Sequence, residues 1–313
     1  MGTESGGHTP ASQNALVIRE SRAVLAHHGR TFNLAGKLLP AAHRNDAAIV
    51  YAFCRLADDL ADEAPDPNTA KKDLAQLTRE LEGHVSPRPV VAAFLDVCQR
   101  RSIDSRAANY LLQGMLSDLD PVALRNDEEL IRYSYCAAGT VGLMMSGVIG
   151  VREPKATPHA IDLGIGMQIT NICRDVLEDA QRGRIYLPID RLDAVGIHPE
   201  DLLRCDVDAT AIQSVVNDLL RLAESYYASA DAGMKYIPWR ARTAILCASR
   251  MYRAIGLQII NSPVNVMQTR AWVPMRTKLR WLGYGLLRAP FMSAKCHEQR
   301  LHIPIRSLPG AAI

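Results

Sequence analysis

The chain of 313 residues has no CxxC pair, no Glu-x-x-His, no internal repeat and no run of alternating polar and apolar residues bounded by turns. Its seven cysteines are scattered and odd in number, which speaks against a disulfide framework or a zinc site and fits a reducing cytoplasm. Without Glu-x-x-His, a di-iron carboxylate bundle is excluded. No GxGxxG joins a strand to a helix, so a Rossmann dinucleotide site is not indicated. No stretch reaches the roughly 18 apolar residues of a membrane span. The start, MGTESGGHTPASQN, lacks a basic segment followed by an apolar one, so residues 1–14 are expected to form a disordered tail and not a signal peptide. No basic stripe interleaved with aromatics runs through the body of the chain, which argues against nucleic acid as a partner.

What is present is helical periodicity over almost the whole length, in a chain that is 48% hydrophobic and 22% charged. Helices are predicted near 15–38, 43–63, 69–83, 89–100, 104–118, 127–149, 156–181, 208–233, 238–260 and 273–288. Short connections join them, so one all-α domain over 15–290 is expected, with 181–201 the longest irregular piece and 291–313 a basic C-terminal tail. The net charge of +3 conceals an asymmetry: from Arg270 onward there are eight Lys or Arg against one acid, Glu298. There, KLRWLGYGLLR at 278–288 sets Trp, Tyr and Leu among cations. That composition suits either peripheral contact with an anionic membrane surface or packing on the protein's own core.

Two segments combine greasy helices with acids. On a helix spanning 47–63, Tyr51, Arg55, Asp58 and Asp62 fall within about 60° of one another, while the remaining face is apolar. On 166–181, Gln168, Asn171, Asp175 and Asp179 fall within about 80°. A polar stripe on a helix that is apolar elsewhere faces an interior cavity. Both sets of acids also crowd predicted helix C-termini, where the helix dipole disfavours negative charge by a few tenths to about 1 kcal/mol each. The missing counter-charge points to hard divalent cations with oxygen ligands, Mg²⁺ above all, shared with a diphosphate. On this reading, removing Asp58 or Asp175 should leave the fold intact or more stable.

YAFCRLADDLAD and QITNICRDVLED, with HGRTFNLAGKLLP at 28–40, YSYCAAGTVG at 133–142, GRIYLP at 183–188 and PWRARTAILCASRMYRAIG at 238–256, resemble the squalene and phytoene synthase family across roughly 25–285. The resemblance implies an isoprenoid-synthase helical bundle around a central apolar channel. It assigns metal and diphosphate binding to Asp58, Asp62, Asn171, Asp175 and Asp179, with Asp59 and Glu178 nearby. It places Tyr51, Arg55, Arg174, Tyr252 and Arg270 around the diphosphate, Arg184 and Tyr186 on a flap, and Phe32, Tyr133, Ala138, Val141, Gly142 and Gln168 along the substrate path. The glycines of AAGTVG, costly inside a helix by about 1 kcal/mol each, would admit either a polyprenyl chain or a neighbouring backbone. The family relation favours the former.

The reaction implied is Mg²⁺-dependent (or Mn²⁺-dependent) head-to-head condensation of two prenyl diphosphates through a cyclopropylcarbinyl diphosphate. Geranylgeranyl diphosphate is the expected substrate, because 238–256 and RAWVPMRTKLRWL at 270–282 resemble the bacterial phytoene-forming members more than the squalene-forming ones, and no long hydrophobic C-terminal anchor is seen. NADPH is not expected. Farnesyl-using members of the family are the nearest alternative. Chain-elongating prenyltransferases fit Asp58, Asp59 and Asp62 but not Asp175 with Asp179. A non-enzymatic bundle with ion-paired helix ends is the reading of another class.

Overall fold

The structure, a computed structural model, describes residues 10–261, 266–268 and 271–312. Among these there is no strand, only one isolated parallel bridge between Ala123 and Ile185. The helices are α1 (Pro10–His28), α2 (Arg30–Gly36), α3 (Ala41–Asp62), α4 (Pro67–Leu81), α5 (Pro89–Arg101), α6 (Arg106–Ser117), α7 (Asp127–Ser134), α8 (Thr140–Val148), α9 (Thr157–Arg174), α10 (Val176–Gln181), α11 (Ile189–Asp193), α12 (Pro199–Leu203), α13 (Ala209–Gly233), α14 (Trp239–Asn261) and α15 (Met275–Arg288). α1 takes in residues 10–14 of the expected tail, and Pro at its first position is compatible with a helix start because its missing N–H would be unpaired there.

The two helices with polar stripes are central. In α3, Ala48, Val50, Phe53 and Ala57 are wholly buried, and Phe53 stacks on Phe94 of α5 at 4.1 Å. α9 is buried on several sides, through Ile161, Ile165, Ile169 and Cys173, and packs extensively along α13. Near-continuous apolar surface lets each helix be covered all round, so its few polar residues have only an internal cavity to face.

Two predicted helices are interrupted. The 127–149 stretch is α7, a π-helical segment Tyr135–Gly139, and α8. Such a segment rephases the residues that follow it and is frequent at functional sites. The 156–181 stretch breaks at Asp175, whose φ of −104° and ψ of 16° separate α9 from the six-residue α10.

The small residues of AAGTVG serve close helix packing. A Cβ at Gly142 would lie 2.1 Å from the Ala160 carbonyl oxygen, and one at Gly164 would lie 2.2 Å from that of Ala138. At Gly142 the approach of α8 to α9 leaves no room for a side chain, and the same glycine borders the cavity, so close packing and the cavity wall meet at one residue. Gly164→Ala should destabilise the protein by about 1–3 kcal/mol through forced backbone displacement, measurable as a lowered denaturation midpoint.

Residues 291–312 do not behave as the expected tail. Arg132 donates to the Pro304 carbonyl (3.0 Å), the Tyr135 hydroxyl to Pro309 (2.6 Å) and the Tyr226 hydroxyl to Leu301 (3.0 Å). His297 and His302 both reach the fully buried Asp162 of α9 at 2.8 Å. The segment is short 3-10 turns containing Pro304, so it has no helical period for a sequence reading to detect. Buried polar groups on the bundle nevertheless require partners, and this segment supplies them. Among the described residues, no helix is long and apolar enough to cross a membrane.

Candidate active site

The C-terminal ends of α3 and α9, with α10, converge on one opening. Below it lies a cavity of about 370 Å³ whose lining is dominated by apolar residues from α3, α8, α9 and α14. Phe32, Tyr51, Ala138, Val141, Gly142 and Tyr252 all line it, and the Phe32 and Tyr252 rings lie 5.4 Å apart near its mouth. Above it is a polar cavity bounded by Asp58, Asp62, Asp175, Glu178 and Asp179, with Tyr133, Arg184 and Tyr186. Asp58, Gln168 and Asn171 border both, so the two form one continuous site.

One of the expected residues stands apart, and another is not described. Arg174 borders neither cavity; it forms a two-pronged pair with Asp175, at 2.8 and 2.5 Å. Arg270 lies outside the described residues.

The acids are less isolated than their sequence positions suggest. Arg55 bridges Asp58 (2.8 Å), Asp59 and, more loosely, Glu63 (3.7 Å), as its place on the same helix face allows. Arg182 and Arg184 each donate to a different oxygen of Asp62 at 2.8 Å, tying the 182–184 segment to the end of α3. The expectation of unopposed charge is thus corrected for Asp62 and Asp175. The dipole argument also weakens for the second stripe, since Glu178 and Asp179 belong to a separate short helix and not to the end of a long one.

Excess negative charge remains around Asp58, despite its pair with Arg55, and around Asp179. Burial, reinforced by Asp62, pushes the Asp58 carboxyl up to about 6. Burial, reinforced by Asp175 and Glu178, pushes Asp179 up to about 7. Both folded values exceed the ordinary 3.8, so the folded protein binds more protons than the unfolded chain between these limits, and stability falls as pH rises from about 4 through 7. The melting temperature of metal-free protein should accordingly decline from pH 5 to pH 8, and the decline should flatten in an Asp58→Asn, Asp179→Asn double variant.

The arrangement fits a hard divalent cation. Among the groups bordering the polar cavity are carboxylates and the amides of Gln168 and Asn171, which offer oxygen ligands, and the Asn171 Oδ1 is buried without a hydrogen-bond partner. Raised carboxyl values at Asp58 and Asp179 indicate negative charge that an incoming cation would relieve.

Sequence reasoning missed Asp118. It follows α6, accepts from the hydroxyls of Tyr133 (3.0 Å) and Tyr186 (2.8 Å), and is pushed up to about 6 by burial. Those two rings stack at 4.7 Å, so Asp118 fixes the aromatic side of the polar cavity. Its only sequence signal was SDLDP at a helix end, which reads as an ordinary solvated turn. Arg182, also missed, belongs to a loop that periodicity cannot place.

The squalene/phytoene synthase family profile matches residues 25–277. The chain is 35% identical over 280 residues to a 15-cis-phytoene synthase of Paracoccus sp., covering 86% of this chain and 90% of that protein. It is 33% identical over 303 residues to one of Pantoea ananas, covering 93% and 96%. Among solved structures, a dehydrosqualene synthase in complex with ligand superposes with a TM-score of 0.78 at 27% identity, covering 90% of this chain and 99% of that one. A squalene synthase of Alicyclobacillus acidocaldarius superposes at 0.67 with 21% identity, covering 80% and 94%, a likeness of fold.

Proposed function

The chain belongs to the squalene/phytoene synthase family, and from that premise we propose that it joins two molecules of geranylgeranyl diphosphate head to head to give 15-cis-phytoene. The observation that carries this reading is the continuity of the two cavities: a carboxylate- and arginine-lined chamber opens directly onto an apolar one of about 370 Å³. A diphosphate and its prenyl tail need that pair of environments side by side.

Asp58, Asp62, Asn171, Asp175 and Asp179 would hold Mg²⁺ or Mn²⁺, which when bound neutralises diphosphate and favours its departure. Arg184, which borders the polar chamber, and Arg55, at the mouth, supply fixed positive charge where the leaving group gathers negative charge. The first allylic cation is attacked by the double bond of the second substrate, a proton is lost, and a cyclopropylcarbinyl diphosphate forms. Its ionisation and rearrangement, followed by a second proton loss, give the 1-1′ linked hydrocarbon. Apolar walls from Met115 to Tyr252 exclude water from these cations.

Tyrosines at the site are poor bases. Burial pushes Tyr51 up to about 12 and raises Tyr186 further, so their hydroxyls stay protonated, and that of Tyr186 donates to Asp118. The departing diphosphate is the better proton acceptor. No reductant is required, because the central triene is kept.

The test is incubation with Mg²⁺ and either geranylgeranyl or farnesyl diphosphate, with and without NADPH, followed by mass analysis of the extracted hydrocarbon. Phytoene without NADPH is the expected product. Exclusive use of farnesyl diphosphate would instead favour the second reading, a dehydrosqualene-type synthase, for which the TM-score of 0.78 is the supporting observation.

We also infer peripheral contact with an anionic membrane surface. α15 packs on α14 by one face, while Leu279, Leu286, Leu287 and Phe291 remain exposed beside Arg276, Arg280 and Arg288. Substituting Leu287→Ser and Phe291→Ser together should weaken flotation with anionic vesicles by about tenfold, since each lost large side chain contributes about 1.5–3 kcal/mol when fully buried and less at an interface. Unchanged flotation would rule out this face.

A further inference from the structure

The lining of the apolar cavity runs down α9 from Asn171 at the mouth through Met167, Leu163 and Ala160 to His159 and Ala156. Twelve residues separate Asn171 from His159, a rise of about 18 Å along the helix. A fully extended isoprene unit measures about 5 Å at ordinary carbon–carbon bond lengths. Three units from the mouth would therefore stop short of His159, and four would reach it. At this depth the α9 and α13 lining is otherwise small, with Ala160, Ala230 and Gly233, so His159 is the bulkiest residue those two helices contribute there.

The ring is built into place. His159 is 3% exposed, and its Nδ1 donates to the Ser229 carbonyl of α13 at 2.7 Å. Tyr236 stacks on it at 6.0 Å, and His297 meets it edge-on at 5.2 Å. A Cβ at Gly233 would lie 2.3 Å from the His159 Cβ, so glycine at that position leaves the room the histidine occupies. The other ring nitrogen, Nε2, is buried without a hydrogen-bond partner. Such an orphan is unfavourable, so hydrogen bonding alone does not account for an imidazole at this depth. Its size and fixed position are what the cavity receives.

We propose that His159 is the floor of the apolar cavity and sets the longest prenyl chain the site accepts. This rests on the prenyl diphosphate reading above and deepens it: the substrate class becomes a four-isoprene chain whose far end abuts the imidazole. The ring takes no part in proton transfer, since it lies at the opposite end of the cavity from the carboxylates.

The experiment compares kcat/KM for farnesyl, geranylgeranyl and geranylfarnesyl diphosphate in the wild-type protein and in His159→Ala and His159→Asn. The Asn side chain can still donate to Ser229 while removing the far side of the ring, so it tests the floor even where the Ala variant fails to fold. Both variants should raise the geranylfarnesyl to geranylgeranyl ratio by about tenfold or more, the scale on which an apolar pocket discriminates small changes in length. A loss shared equally by all three substrates, or a ratio moved by less than about twofold, would overturn the assignment and leave His159 as a packing residue. If the wild-type protein consumes none of the three, the prenyl diphosphate reading falls and this one with it. Wild-type turnover with an unshifted ratio sinks only the role of His159.

Discussion

Asp179→Asn is expected to lower turnover by about a hundredfold to a thousandfold while raising the melting temperature of the metal-free protein. The loss follows from the role proposed for Asp179 as one ligand of a preorganised charge-stabilising centre, where single deletions have effects of that size. The gain follows from the electrostatics of the empty centre. Burial, Asp175 and Glu178 push the Asp179 carboxyl up to about 7, so at pH 8 the folded protein holds an ionised group that its surroundings disfavour. Asparagine removes the charge and keeps the shape. Asp58→Asn should act in the same direction, because Arg55 retains Asp59 and Glu63 as partners.

Asp175→Ala should behave oppositely in stability. It strands Arg174, whose side chain is only 16% exposed and makes a two-pronged pair with Asp175. Leaving a buried charge uncompensated is destabilising. The expectation that Asp58 and Asp175 could be removed alike is therefore revised. Parallel measurement of turnover and thermal midpoint in these variants separates the two classes, and a stabilised Asp175→Ala would contradict the pairing argument.

Asp162→Ala is expected to destabilise the protein by about 3–5 kcal/mol, the range for breaking a buried charged network. Asp162 is fully buried and accepts from Ser229 Oγ (2.5 Å), His297 (2.8 Å) and His302 (2.8 Å). These contacts join α9, α13 and the C-terminal segment. Despite its burial, hydrogen bonds from the two histidines and Ser229 hold its carboxyl below the ordinary range. Its contribution is thus present above the ordinary 3.8 and is lost as pH falls through its lower folded value. Chemical denaturation measures the loss, and limited trypsin digestion reports its location. Cleavage after Lys295 or Arg300 should be faster in the variant than in wild type. An unchanged cleavage pattern would show that the segment is held by its other bonds, from Arg132, Tyr135 and Tyr226.

The helical class, the two polar stripes and most of the site were legible in the chain because each depends on spacing within one helix. Tyr51, Arg55, Asp58 and Asp62 share a face of α3 whatever surrounds it, and Gln168 and Asn171 share a face of α9 for the same reason, with Asp175 capping that helix. Apolar residues on the remaining surface already required both stripes to face inward. Helix periodicity is local, and so were these conclusions.

Which charges are compensated, by contrast, was decided between elements. Asp62 is paired by Arg182 and Arg184, 120 and 122 positions away, through a loop without periodicity. Asp118 enters the site because α7 and the loop joined to Ala123 by the bridge at Ile185 bring Tyr133 and Tyr186 to it. The C-terminal segment looked like a basic tail because 3-10 turns around a proline carry no amphipathic signature, yet it covers polar groups of α9 and α13 that would otherwise be buried unpaired. The glycines of AAGTVG gave the same local pattern for a substrate path and for a helix contact. Only the 2.1 Å approach of the Ala160 carbonyl to the Gly142 Cβ position showed that the helix contact requires glycine there. Sequence spacing determined which side chains could act together; the partners that fix their charge and orientation lie on other helices, at separations that no local pattern encodes.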